Sequence, residues 1–114
     1  MNVAERASTW VAICPVTNIV PFTGVAALID GQQIAIFRLP DDQVYAISNY
    51  DPFSRAFVLS RGIVGDRKGE LKVASPIYKQ NFSLTTGQCL DDASIRLRTW
   101  PTQVVDGQVY IALD

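Results

Sequence analysis

The chain has 114 residues, 48% of them hydrophobic, with 10 Lys and Arg against 11 Asp and Glu, two cysteines and no histidine; that reads as one domain, 1–114, burying roughly 65% of its unfolded surface. The missing histidine removes Ser-His-Asp and Cys-His catalysis, histidine-containing zinc sites, histidine-coordinated iron–sulfur centres and histidine-ligated haem, and two cysteines are too few for a four-thiolate cluster. A net charge of −1 argues against a nucleic-acid partner, and no apolar run approaches the roughly 20 residues that span a bilayer.

Residues 1–8 read as a loose N-terminal tail. Met1 to Thr9 carries Glu5 and Arg6 and has no apolar stretch of signal-peptide type, which predicts a cytoplasmic location. Cys14 and Cys89, each in an apolar setting, are then expected to be buried thiols rather than a disulfide. Trp10 to Cys14 is predicted as a first strand. The stretch from Pro15 to Pro21, with two prolines and Asn18, is a loop or a single helical turn. Gly24 to Ile29 and Gln32 to Arg38 flank Asp30-Gly31, a strong hairpin signal because both turn positions tolerate positive φ. Pro40-Asp41-Asp42 makes the next turn and Val44 to Ile47 the next strand.

In the middle of the chain, Asp51-Pro52 is expected to cap a short helix running to about Leu59. Gly62, Gly65 and Gly69 are expected to break the following stretch into turns, with Asp66 to Glu70 a solvated, charged loop tip. Leu71 to Ala74 is a strand that stops at Ser75-Pro76, and Asn81 to Leu84 is a short strand turned by Thr85 to Gln88. Arg96-Leu97-Arg98 alternates, so both arginines should face away from Leu97. Thr102 to Val105 and Gln108 to Leu113 flank Asp106-Gly107, a second hairpin of the same kind. The sum is roughly eight to ten short strands in a small antiparallel sandwich or barrel, all-β with at most short helical turns. At least one of Trp10 and Trp100 should lie in its core.

Few motifs carry chemistry. Gly62 to Gly65 lacks the Lys and the Ser or Thr of a phosphate loop. Asp41-Asp42 and Asp91-Asp92 fall in predicted turns and read as turn chemistry rather than acid/base pairs. No catalytic residue emerges. Charged residues, at 18%, fall below the roughly 25% usual in soluble domains, which fits either a surface covered by a partner or a generally apolar sheet surface.

Two segments stand out, Tyr45 to Phe53 and Val73 to Gly87: each is a strand followed by an X-Pro turn and an aromatic residue. This arrangement resembles the Rieske iron–sulfur fold, in which two such loops carry Cys-Pro-His and Cys-Pro-x-His. Asp51-Pro52-Phe53 stands at the first motif and Ser75-Pro76-Ile77-Tyr78 at the second. All four ligand positions are thus replaced, by Asp51, Phe53, Ser75 and Tyr78, and Cys14 and Cys89 lie outside both loops. Hard oxygen donors and aromatic rings do not suit the soft iron of a cluster.

Within that fold the chain resembles the small subunits of cytoplasmic NAD(P)H-dependent nitrite reductases, from Trp10 to Ile111. The resemblance is carried by Ile36-Phe37-Arg38, Asn49 to Phe53, Ser60 to Asp66, Ser75 to Phe82, and Asp91-Asp92 followed by Arg96-Leu97. It implies a cluster-free accessory subunit of an oxidoreductase, without metal or cofactor of its own. It further implies a large catalytic flavoprotein subunit carrying FAD, a [4Fe–4S] cluster and sirohaem, which reduces nitrite to ammonium in nitrogen metabolism, for nitrate assimilation or for dissimilation. If the tip formed by the two loops survives without its cluster, Tyr50, Asp51, Phe53, Tyr78, Lys79 and Gln80 are the candidates to meet that partner. Phe53 and Tyr78 have a second reading, as filler for the space of the cluster, and it is the preferred one for Phe53. Arg55 and Arg61 read either as a charged rim or as plain solvated side chains, the latter preferred. The alternative function is a stand-alone interaction module built on an inactive Rieske fold.

Overall fold

The computed structural model describes residues 9–113; the expected loose tail at 1–8 lies outside them. Twelve strands form among the described residues: β1 (Trp10–Pro15), β2 (Thr23–Ile29), β3 (Gln32–Leu39), β4 (Gln43–Ser48), β5 (Tyr50–Asp51), β6 (Ala56–Phe57), β7 (Ile63–Arg67), β8 (Glu70–Ala74), β9 (Asn81–Ser83), β10 (Thr99–Trp100), β11 (Thr102–Val105) and β12 (Gln108–Ala112). Single 3₁₀ turns at Val16–Asn18, Pro40–Asp42 and Leu59–Arg61 are the only helical pieces among those residues. All pairings are antiparallel, in sheets ordered β1-β12-β11, β10-β4-β3-β2, β5-β6 and β7-β8-β9.

The β10-β4-β3-β2 sheet is the middle layer, and the sequence of β3 shows why. Ile34-Ala35-Ile36-Phe37 is apolar at every position, as a strand covered on both faces must be. Ile34 and Ile36 face one core with Val44, Ala46, Trp100, Val109 and Ile111. Ala35, Phe37 and Leu39 face another with Ile47, Leu59, Val73, Phe82, Leu84, Cys89 and Leu97. The first core lies under the β1-β12-β11 sheet and the second under the β7-β8-β9 sheet and its loops. Cys89 belongs to the second core and Cys14 packs on the first, so the middle sheet separates them; both are free thiols.

Both expected Asp-Gly hairpins form: Asp30 and Gly31 have φ 54° and 78°, and Asp106 and Gly107 φ 51° and 77°, the twist that joins adjacent strands in two residues. Two expectations need correction. The stretch around Gly65 is strand rather than turn: β7 pairs with β8 through Lys68-Gly69, with Gly65 opposite Lys72. Asp51-Pro52 starts no helix. A single turn forms, the Asp51 carbonyl accepting the Arg55 N–H at 2.8 Å, but Arg55 then enters the left-handed region at φ 58°, which a helix cannot continue through, and the chain returns as β6. Arg96-Leu97-Arg98 has the expected alternation, with Leu97 buried and both arginines exposed, although the regular strand begins only at Thr99.

Gly87 turns the chain back after β9 at φ +79°, and a Cβ there would overlap the Leu97 carbonyl. Gly87→Ala combines a left-handed penalty of about 1–2 kcal/mol with an overpacking cost of about 1–3 kcal/mol. A fall of about 3 kcal/mol in unfolding free energy is expected by urea titration; an unchanged midpoint would refute the close approach.

Candidate functional site: the tip formed by the two X-Pro loops

The first loop is the β5–β6 hairpin and the second runs from Ser75 to Gln80 after β8. They are built alike. Asp51 Oδ1 accepts the Phe53 N–H at 2.9 Å, and Ser75 Oγ accepts the Ile77 N–H at 3.3 Å. In both, a side-chain oxygen caps the backbone two residues on, a short-range bond typical of Asp and Ser in turns. The Asp51 carbonyl accepts the Arg55 N–H, and the Ser75 carbonyl accepts the Lys79 N–H at 3.1 Å. Arg55 and Lys79, each four residues beyond the capping side chain, are both left-handed, at φ 58° and 67°. A bond from the Ser75 N–H to the Gln80 carbonyl at 2.9 Å closes the second loop.

The two loops are tied to each other at their capping residues. The Ser75 hydroxyl donates to Asp51 Oδ2 at 2.5 Å, and the Ser54 hydroxyl donates to the same oxygen at 2.9 Å. Asp51 and Ser75 are both buried. Burial pushes the Asp51 carboxyl up, but the hydroxyls of Ser75 and Ser54 and the backbone N–H groups of Phe53 and Ser54 outweigh it and hold the group below the ordinary aspartate range. The carboxylate is therefore the hub of the tip.

The structure sorts the six expected interface residues by depth. Asp51 is fully buried, and Phe53 is half-buried, packing its ring against Phe82 at 6.1 Å between centroids. Gln80 is half-buried, with Oε1 enclosed and without a hydrogen-bond partner. Tyr50 is half-buried, stacked obliquely on Phe57 at 5.0 Å. Lys79 is exposed, and Tyr78 is 60% exposed. Two neighbours that the sequence reading passed over join them: Phe57 at 52% and Ile77 at 46% exposure. Phe57 was hidden inside the expected helix, where its exposure had no meaning; as the end of a two-residue strand it points outward. Asn49 was also missed: buried beneath the first loop, its Oδ1 accepts the Ser60 N–H at 2.7 Å and its Nδ2 donates to Gln33 at 3.2 Å.

The donor set does not fit a [2Fe–2S] cluster. The Asp51 carboxylate, where the resemblance would put a thiolate, is already engaged by hydroxyl and amide donors, and Phe53 has no donor atom. Tyr78, where the resemblance would put an imidazole, is largely solvent-exposed. Neither free cysteine is in either loop, and iron–sulfur clusters are held by thiolates, with histidine replacing some of them in Rieske centres.

The family described as the Rieske-like [2Fe-2S] domain matches residues 9–112. The chain is 49% identical over 105 residues to the nitrite reductase (NADH) small subunit of Salmonella typhimurium, covering 91% of this chain and 97% of that one. The chain belongs to the nitrite reductase small-subunit family. The solution structure of the Escherichia coli protein NirD is similar in fold, with a TM-score of 0.86 at 46% identity over 92% of this chain and 96% of that one. Small-subunit members are thus Rieske-like in fold, as the X-Pro loops led one to expect, and parts of an oxidoreductase, as the resemblance along the whole chain implied. A further relative has a different build. The Klebsiella oxytoca protein named nitrite reductase [NAD(P)H] large subunit is 44% identical over 102 residues, which are 90% of this chain but 11% of that protein. There the small-subunit domain is part of a much longer polypeptide.

Proposed function

We propose that this chain is the accessory small subunit of an NAD(P)H-dependent nitrite reductase, a single domain that docks on the catalytic large subunit and supports its turnover. The observation that carries this is the Klebsiella protein, in which the same domain is covalently joined to what is called the large subunit. A fused domain meets its neighbour at a high effective concentration, and separate chains that do the same work need a docking surface instead. The tip has the composition of such a surface: Tyr50, Phe57, Ile77, Tyr78 and Lys79 expose aromatic, aliphatic and cationic groups together, and exposed aromatics are typical interface anchors. Asp51, Phe53 and Gln80 support that surface from beneath.

In this reading the chain holds no cofactor. FAD, the [4Fe–4S] cluster and sirohaem belong to the large subunit, which passes six electrons from NAD(P)H to nitrite and releases ammonium for nitrate assimilation. The complex works in the cytoplasm, away from nucleic acid and membrane; no helix among the described residues is long and apolar enough to cross a membrane. The test is to purify the large subunit with and without this chain and follow NADH-dependent nitrite consumption. Co-purification and a several-fold higher rate with the chain present are expected. Equal rates without co-purification would overturn the reading.

A further inference from the structure

The tip carries charge of one sign only. The two loops, residues 50–57 and 75–80, contain one acid, Asp51, and two cations, Arg55 and Lys79, and a third cation, Arg61, follows in the Leu59–Arg61 turn. Asp51 is buried and turned inward to Ser75 and Ser54, whereas all three cations are exposed. The ion pairs among the described residues, Arg38 with Asp42 and Arg67 with Asp91, lie outside both loops. A chain of net charge −1 thus presents a purely cationic tip.

The backbone sharpens this. Arg55 and Lys79 occupy equivalent left-handed positions in the two loops. Of the six other non-glycine residues with positive φ among those described, four are aspartates: Asp30, Asp41, Asp42 and Asp106. Short Asp and Asn side chains suit that conformation better than long ones do. Lys68, in the β7–β8 turn, is a cation in the same conformation, so the left-handed backbone alone does not set the tip apart; what does is that both loops carry an exposed cation there and no exposed acid.

Resting on the docking role proposed above, we infer that Arg55 and Lys79 are cationic contacts for an acidic face of the large subunit, on the same two loops that expose Phe57, Ile77 and Tyr78. Charges at the rim of an apolar interface act mainly on the rate of association and on partner choice, and salt screens them.

The double variant Arg55→Asn, Lys79→Asn removes both charges while keeping a side chain that accepts positive φ. Lys68→Asn is the matched control: Lys68 is exposed and left-handed at φ 53°, in the β7–β8 turn. Binding of each full-length chain to the purified large subunit would be measured from about 50 to about 500 mM salt, spanning weak to strong screening. Wild-type affinity should fall with salt. The double variant should bind about tenfold more weakly at low salt, through slower association, and with a flatter salt dependence. Lys68→Asn should behave as wild type, and all three should keep their thermal midpoints. A double variant with wild-type affinity and salt slope overturns the inference, as does an equal loss in Lys68→Asn. Loss of binding on Tyr78→Ala but not in the double variant would leave the docking role standing without its electrostatic part; a wild-type chain that binds at no salt concentration removes both.

Discussion

Asp51→Ala is expected to lower the unfolding free energy by about 3 kcal/mol, the range for removing a buried, hydrogen-bonded charge. The Ser75 and Ser54 hydroxyls and the Phe53 N–H all lose their acceptor at once, and the two loops lose the bond that ties them. In a domain of this size that loss lowers Tm by roughly 10 °C or more. Asp51→Asn should cost less, since Oδ1 can still take the Phe53 N–H, but its amide would face the two hydroxyls as a donor. The same hub predicts acid sensitivity. Asp51 is held below the ordinary aspartate value of about 3.9, so its contribution is complete above that value and is lost as pH falls through the lower, folded-state value. Asp91, held down by its bond from the Asn81 backbone N–H, adds in the same sense at the far end of the second loop. Stability followed from pH 6 to about pH 3 should therefore fall more steeply in the wild type than in Asp51→Asn. Superimposable curves would show that Asp51 is not the hub.

Trp100→Ala should cost about 3–5 kcal/mol, the range for emptying a large aromatic from a core, and Trp10→Ala clearly less, about 1–2 kcal/mol, for the part of its ring that is covered. The contrast follows from depth: Trp100 is 6% exposed and Trp10 40%. Trp100 pairs with Ala46 at the edge of the middle sheet and fills the core shared with Val109 and Ile111, while Arg98 lies 4.7 Å above its ring. Its indole Nε1 is buried without a hydrogen-bond partner, so Trp100→Phe gives up no hydrogen bond and should cost no more than about 2 kcal/mol, mostly lost packing. Equal losses in Trp10→Ala and Trp100→Ala, read from urea midpoints, would contradict this placement.

Much of the architecture was legible locally. Asp30-Gly31 and Asp106-Gly107 announced their hairpins because positive φ at two successive positions is a property of the turn itself. That β3 is covered on both sides was decided by packing, which its apolar run 34–37 permits. The expectation for 51–59 failed because Pro after Asp is equally good at a helix start and in a tight turn, and the choice was made by partners distant in sequence: Ser75 binds the Asp51 carboxylate across 24 residues. The strand through Gly65 was missed because glycine disfavours a strand in isolation, while pairing with β8 supplies a ladder that no local signal announces.

The tip divides in the same way. That oxygen donors and aromatic rings, Asp51, Phe53, Ser75 and Tyr78, stand where the Rieske resemblance would put ligands was legible in the sequence by itself, since donor type belongs to the residue. The all-β class and the two X-Pro loops were determined likewise, by periodicity and proline placement. Only the tertiary structure decided which replacements face inward. It made Asp51 and Ser75 into a bond between the loops, laid Phe53 on Phe82, and left Tyr78, Phe57 and the two left-handed cations in solvent. The reason is physical: donor chemistry belongs to a side chain, whereas burial and charge exposure belong to the way distant segments pack, and no window of neighbouring residues contains that information.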